Sequence, residues 1–367
     1  MASRFAISGS FFLIGRLGAA CAVVFTSAVS VSGQMVPPSE TWVKHPRPVP
    51  VCASCHAEAK SQPGTSMAHA LETVEECATL SARPLLTFKM GQYTYRIERR
   101  SDQSIYTVSD GAHTLTLPIR WVMGASSAIG QTFVLENKGE FYESRVSYFN
   151  ELRGLDVTLG AQGVGPINLL DAAGRHMAPD DRLRCFGCHA TNATQRRQLT
   201  LDKMTPGVQC ERCHGPAEKH VAGMTRGDPE PAKMRDLSKL STEQVFNFCG
   251  QCHRTWEDVA AQGRLDITDI RFQPYRLTTS KCYDADDPRI SCLACHDPHH
   301  EVDSKSIDYD SKCQSCHGGG KRGARACKVA KNRCATCHMP KIELPGAHHK
   351  FSDHRIRIVK ANEPFPG

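Results

Sequence analysis

Cysteine and histidine recur along this chain in one fixed pattern, in which two cysteines three positions apart are followed directly by a histidine. The pattern Cys-x-x-Cys-His occurs seven times and uses 14 of the 18 cysteines. Thiols at this spacing lie on one face of a helical turn, so each can add to one vinyl group of the same porphyrin. The next residue projects its imidazole toward the iron as the proximal ligand. The pattern is therefore an attachment signature for c-type haem.

The seven motifs are numbered here as sites 1 to 7 in chain order. The cysteines predicted to bind haem covalently are Cys52 and Cys55, Cys185 and Cys188, Cys210 and Cys213, Cys249 and Cys252, Cys292 and Cys295, Cys313 and Cys316, and Cys334 and Cys337. The predicted proximal ligands are His56, His189, His214, His253, His296, His317 and His338. A zinc site would join two Cys-x-x-Cys pairs on one metal, and a disulfide framework has no use for the histidine. Because a histidine follows every pair, the sequence predicts seven haem c groups.

Ten further histidines supply candidates for the second axial position. The favoured candidates are His69, His220, His299, His349 and His354. His69 falls on a helix predicted around Met67 to Leu80. The weaker candidates, for which a surface role is the alternative, are His45, His113, His176, His300 and His348. Met67 and Met177 are conceivable ligands, although methionine is more often a packing residue. We expect mainly bis-His haems of low potential.

The N-terminus has the features of a secretory signal peptide. Residues 1–33 contain two basic residues, no acidic one, and an apolar stretch from Leu17 to Val31 that is followed by small residues. An uncleaved anchor helix is the alternative, although the stretch is short for a membrane span. The sequence therefore predicts an exported protein of the periplasm or cell surface. In an oxidising compartment we expect a Cys282–Cys327 disulfide, which leaves Cys77 free.

The spacing of the motifs suggests three regions after residue 33. Residues 34–83 hold a Pro-rich arm and site 1. Residues 84–165 are a haem-free β module, in which Tyr93, Tyr95 and Ile97 alternate with polar residues and Asn137-Lys138-Gly139 marks a hairpin. Residues 166–367 hold six sites, too many for an ordinary apolar core in so short a segment. The predicted fold is mostly α and irregular with haems as its core, plus an inserted antiparallel β module, and site 1 is expected to stand apart.

The formal charge of +7 invites a nucleic-acid interpretation. Each ferric haem, however, adds about one net negative charge through its two propionates. Seven haems, together with loss of the two leader arginines, would bring the chain to about −2. We therefore expect no nucleic-acid partner.

Several segments resemble multihaem cytochromes of the cytochrome c-554-like group. They are Cys292 to His300, Cys213 to His220, Cys334 to Lys341, the closing stretch from His348 to Ile356, and, in the β module, Trp121 to Gly124 and Tyr142 to Tyr148. The resemblance implies bis-His haems with His220, His299 and His354 as distal ligands, and a role in periplasmic electron transfer. The seven motifs and the β module depart from the tetrahaem members, so the partners of those relatives do not carry over.

Three functions are compatible with these features. The leading hypothesis is an electron carrier between redox proteins, for which a quinol-oxidising membrane complex or another cytochrome are candidate partners. The second is an oxidoreductase that acts on a small nitrogen or sulfur compound at one open haem, with no Cys-x-x-Cys-Lys variant to mark it. The third is a subunit of a conducting filament, in which His45 would be the distal ligand that one subunit donates to a haem of the next. A homo-oligomer is compatible with the sequence.

Overall fold

The computed structural model describes residues 51–125, 129–263, 265–302, 307–318, 326–360 and 363. The predicted signal peptide (1–33), the Pro-rich stretch at 34–50 and His45 lie outside the described residues. Nine strands form one antiparallel sheet. They are β1 (Leu71–Thr73), β2 (Leu85–Met90), β3 (Tyr93–Arg100), β4 (Gln103–Ser109), β5 (Thr114–Met123), β6 (Gly130–Asn137), β7 (Glu140–Phe149), β8 (Gly154–Val157) and β9 (Gly174–His176).

The sheet is a meander in which β2 to β8 pair in chain order, while β1 joins β5 and β9 joins β7. The terminal strands β2 and β8 lie near each other, so the sheet curves back almost onto itself. Between β6 and β7, Lys138 and Gly139 both have positive φ, 52° and 82°. Such a turn matches the right-handed twist of its flanking strands. The strand alternation and hairpin predicted for this segment are confirmed.

A β-bulge in β5 divides the apolar residues of that strand between two cores. The pairing of β5 with β6 shifts by one residue between Ile119 and Trp121. A single extra residue reverses which side chains face each side of a strand. As a result Ile119 and Val122 belong to the core that also holds Tyr95 and Tyr106, whereas Trp121 belongs to a separate cluster. That second cluster faces the segment that carries site 2.

The rest of the described chain consists of helices, short strand pairs and irregular segments. Its α-helices are α1 (Ala78–Ala82), α2 (Leu169–Ala173), α3 (Pro179–His189), α4 (Cys210–His214), α5 (Glu218–Arg226), α6 (Thr242–His253), α7 (Trp256–Ala261), α8 (Gln273–Thr278), α9 (Cys292–Cys295), α10 (Tyr309–His317) and α11 (Cys334–His338). Short strand pairs are β10 (Ala190–Thr191) with β13 (Thr205–Pro206), β11 (Thr194–Gln195) with β12 (Gln198–Leu199), and β14 (Lys341–Glu343) with β15 (Lys350–Ser352). Across the described ranges, no helix combines the length and apolar character that a membrane crossing requires.

The predicted fold class is wrong. The largest ordered element is the nine-stranded sheet, which carries its own apolar core, and the fold is not a mostly α structure built around haems. The haem-motif segment also contributes apolar packing of its own, because Phe186, Ala190 and Met204 pack in one cluster with Trp121. The motif segment therefore does not form a core by itself, because part of it packs against one face of the sheet.

Candidate haem-binding sites

The motifs fold as helical turns that end at their histidines. Helices α3, α4, α6, α10 and α11 each have the motif histidine as their last residue, and α9 ends one residue before His296. Site 1 lies on a 3-10 turn (Val51–Ser54), and the His56 amide donates to the Cys52 carbonyl at 2.8 Å. A helical turn brings residues i, i+3 and i+4 to one face, so each motif presents both thiols and its imidazole together.

Sequence features explain why the longer motif helices start where they do. Helix α3 has Pro179 at its first position and Asp180 and Asp181 in its first turn, where fixed φ and negative charge stabilise a helix start. Helix α6 begins with a capping box between Ser241 and Gln244. The polypeptide therefore defines these two helices by local signals as well as by the motifs at their ends.

Three motif histidines each face a second histidine from another part of the chain. His56 lies opposite His220 with ring centres 6.4 Å apart, and His214 lies opposite His299 at 6.1 Å with the rings nearly parallel. Two imidazoles that share one iron have ring centres about 6 Å apart, since each metal–nitrogen bond spans about 2 Å and each nitrogen lies about 1.1 Å from its ring centre. Both ring-centre separations therefore match that of two imidazoles on one iron.

The third pair joins His296 and His354, with ring centres 6.2 Å apart. His354 is held by the residue before it, because the buried Asp353 carboxylate accepts two bonds from Arg276 of α8, at 2.8 and 2.9 Å. Ser280 adds a hydrogen bond to the His354 carbonyl at 3.2 Å. The C-terminal segment is thus fastened to α8 at the point where it must present an imidazole.

Backbone carbonyls fix the tautomer of several of these rings. In five of the rings, Nδ1 donates to a backbone carbonyl at 2.8 to 3.0 Å. The donors and acceptors are His189 and Ala70, His214 and Arg235, His338 and Arg357, His220 and Ala232, and His354 and Ser352. A carbonyl can only accept, so Nδ1 carries the proton and Nε2 keeps its lone pair. Metal-bound histidines typically have this outer hydrogen bond, which orients the ring. His299 differs in that its Nδ1 faces the Asp297 carboxylate at 2.9 Å.

Burial keeps four of the imidazoles neutral. Loss of hydration lowers the pKa of His354 to about 4, and burial also lowers the pKa of His189, His253 and His296. A neutral imidazole is the form that ligates a metal. These four rings are therefore in the ligand-competent form at neutral pH.

The seven motifs form one connected group. In six cases, a thiol of one site lies close to a thiol of another. The neighbours are sites 1 and 3 (Cys52, Cys210), 3 and 4 (Cys213, Cys249), 2 and 4 (Cys188, Cys252), 4 and 5 (Cys249, Cys292), 5 and 6 (Cys295, Cys313), and 6 and 7 (Cys313, Cys334). The segments that flank sites 1 and 3 are also bonded to each other, since the Val208 amide, two residues before Cys210, donates to the Met67 carbonyl at 2.9 Å. Site 1 is therefore not apart from the others, contrary to the expectation from spacing, and site 4 is a junction.

Site 2 is the point where the sheet touches this group. The Trp121 ring packs edge-on against Phe186, which lies between the two cysteines of site 2, with centres 5.1 Å apart, and Phe141 completes the cluster. The Ala70 carbonyl beside β1 accepts from both His189 Nδ1 and the Gly124 amide, each at 2.8 Å. The bulge that turns Trp121 outward thus positions site 2.

Two favoured distal candidates are engaged elsewhere. His69 lies in a turn before β1, not on a helix, with Nδ1 2.7 Å from Glu72 and Nε2 3.0 Å from the Pro63 carbonyl. His349 has Nδ1 3.1 Å from Glu151. Neither is placed against a motif histidine by these contacts.

The weaker candidates contact carboxylates: His113 lies near Asp110, His176 near Glu140, His300 near Asp297 and His348 near Asp156. The Met177 side chain is buried in the same cluster as Trp121 and Phe186, which is a packing role.

The described cysteines outside the motifs, Cys77, Cys282 and Cys327, are free thiols. Cys282 and Cys327 are both unbridged, so the expected disulfide does not form in this structure. Cys77 is fully buried against Gln131, and burial raises the pKa of its thiol to about 11. Among the residues that the structure describes, no three His, Cys, Asp or Glu side chains are grouped as a site for a bare metal ion.

Two comparisons bear on the identity of the chain. The family model for cytochrome c554 and c-prime matches residues 169–215, which contain sites 2 and 3. A curated relative, the multihaem cytochrome MtrA of Shewanella baltica (strain OS185), is 28% identical over 165 residues, which are 43% of this chain and 40% of that protein. The chain thus matches less than half the length of this relative. No solved structure matches it significantly. Together with the motif geometry, the two matches support a multihaem c-type cytochrome.

Proposed function

We propose that this chain is an exported heptahaem cytochrome of the c-554-like kind that carries electrons between redox partners. The observation that carries the proposal is the set of three histidine pairs. Each joins a motif histidine to a residue that the sequence nominated as a distal ligand, at the separation that one iron requires.

In this proposal, the polypeptide holds the haems and orients their axial ligands. The cysteines of each motif attach the porphyrin, the Nδ1 bonds aim Nε2 toward the metal, and burial keeps the rings neutral. Bound haem would supply the iron that accepts and releases one electron. Two imidazoles on an iron favour electron transfer, because they occupy both axial positions.

The connected arrangement of the sites supports a conduit. Every site has a neighbouring site through its thiols, and the links run 1–3–4–5–6–7 with site 2 attached at site 4. An electron would therefore follow spatial order and not chain order. The signal-peptide features at residues 1–33 support a place in the periplasm or at the cell surface, and another cytochrome or a quinol-oxidising membrane complex as partner.

Adjacent histidines on one loop offer a matched experiment. His299 faces His214, whereas the next residue, His300, only bonds the same Asp297 carboxylate. Under the proposal, ferric haem in the parent protein is predominantly low-spin by low-temperature EPR. His299→Ala should convert one haem to high spin, and His300→Ala should convert none. Equal spectra for the two variants, or a high-spin change with His300→Ala alone, would contradict the ligand assignment and with it the proposal.

A further inference from the structure

Arg212 contacts three haem motifs at once. It lies on α4 between the two cysteines of site 3, and its Nη2 donates to the Gly187 carbonyl within site 2 at 3.1 Å. The same nitrogen lies 3.9 Å from Sγ of Cys252 in site 4. These contacts place one guanidinium at the junction of sites 2, 3 and 4.

The charge of this guanidinium is not neutralised locally. The neighbouring Glu211 carboxylate accepts instead from Asn192 Nδ2 at 3.2 Å and from the Ala217 amide at 2.7 Å. Within the described part of the chain, Arg212 forms no ion pair with a carboxylate; its contacts are a carbonyl oxygen and a sulfur. The side chain is half-buried, so water screens its field less than at an exposed surface.

We propose that Arg212 is a positioning and potential-setting residue, which fixes the spacing of sites 2, 3 and 4 and raises the midpoint potentials of the haems there. A fixed positive charge favours the state that has gained an electron, because reduction lowers the charge of the haem centre by one. The junction would then be where an electron entering the chain rests. This inference depends on the proposed function, since it presupposes haems at these three sites.

The test is a spectroelectrochemical titration of three variants against the parent protein. Arg212→Gln removes the charge at nearly the same size, and Arg212→Lys keeps the charge. Arg226→Gln is the control, because Arg226 lies on α5 in an exposed pair with Asp228. The expected result is a shift to lower potential for about three of the seven haem equivalents in Arg212→Gln, most of it restored in Arg212→Lys, and an unchanged curve for Arg226→Gln.

Haem content is measured on each variant before the titration. A fully loaded Arg212→Gln protein whose curve overlays that of the parent overturns the proposal, and so does an equal shift in Arg212→Lys. If Arg212→Gln does not load its haems, Arg212→Lys decides, because its curve must then stay with that of the parent. A parent protein with few haems would instead contradict the proposed function, so the two failures are distinguishable.

Discussion

Replacing His220 with alanine should alter the haem at site 1, although His220 lies only six residues after His214 of site 3. The structure pairs His220 with His56 at 6.4 Å, and it gives His214 a different partner, His299, at 6.1 Å. Loss of one of two axial imidazoles should change one ferric haem in seven from low to high spin, about 14% of the total. Integration of the high-spin EPR signal measures this fraction.

A second background identifies which haem responds. Changing Cys52 and Cys55 to serine removes the attachment of haem at site 1. In that background His220→Ala should add no high-spin signal, because its iron is already gone, so the two changes are non-additive. A further high-spin increase in the triple variant would show that His220 serves another site. That result would show that the 6.4 Å separation of the His56 and His220 rings does not reflect ligation of one iron.

Three other predictions concern stability and reactivity. Arg276→Met should destabilise the fold by about 2–4 kcal/mol, because the buried Asp353 carboxylate loses its bidentate partner and keeps its ion pair with Arg357 at 2.7 Å. Chemical denaturation should show the loss, and a change under about 1 kcal/mol would contradict it. Gly207→Ala should lower the free energy of unfolding by about 2–4 kcal/mol, because φ is +76° there and a Cβ would lie 1.8 Å from a backbone oxygen. The control Gly139→Ala, at φ +82° with open space around it, should lower it by about 1 kcal/mol. Equal losses for the two variants would contradict this prediction. Cys77 should resist alkylation at pH 8 until the protein unfolds, since burial raises its pKa to about 11 and only the thiolate reacts; rapid native labelling would disprove this.

Local sequence patterns predicted the strands and the motif turns well. Alternation at Tyr93, Tyr95 and Ile97 reflects one buried face of β3, and all three side chains are buried. The hairpin follows from Gly139, which accepts positive φ in a two-residue turn; Lys138 also has positive φ there, although its residue type does not favour it. Both features depend only on residues that are close together in the chain, so one sequence is enough to predict them.

Long-range placement could not be predicted in the same way. The bulge after Ile119 changes which face Trp121 occupies, and the local signal for it, Pro118 in a central strand, does not say which residue is the extra one. His69 was favoured because a helix was expected around it, but the chain pairs as β1 with β5 there, a contact made across some 50 residues. The partnership of His220 with His56 likewise depends on how the chain returns from site 3 to site 1.

The fold class failed for a related reason. The spacing of the motifs suggested that haems alone form the core of the C-terminal segment, since six sites leave too little chain per site for an ordinary apolar core. Phe186 and Met204 instead share a cluster with Trp121 of the sheet. Core packing that is shared between distant segments cannot be counted segment by segment.

The intact mass of the protein, matured in a host that attaches c-type haem, tests the central claim most directly. We expect a covalent mass excess of seven haems over the polypeptide, measured from its observed N-terminus and retained after denaturation. An excess of fewer than seven, with the corresponding cysteine pairs free to be alkylated, would contradict it.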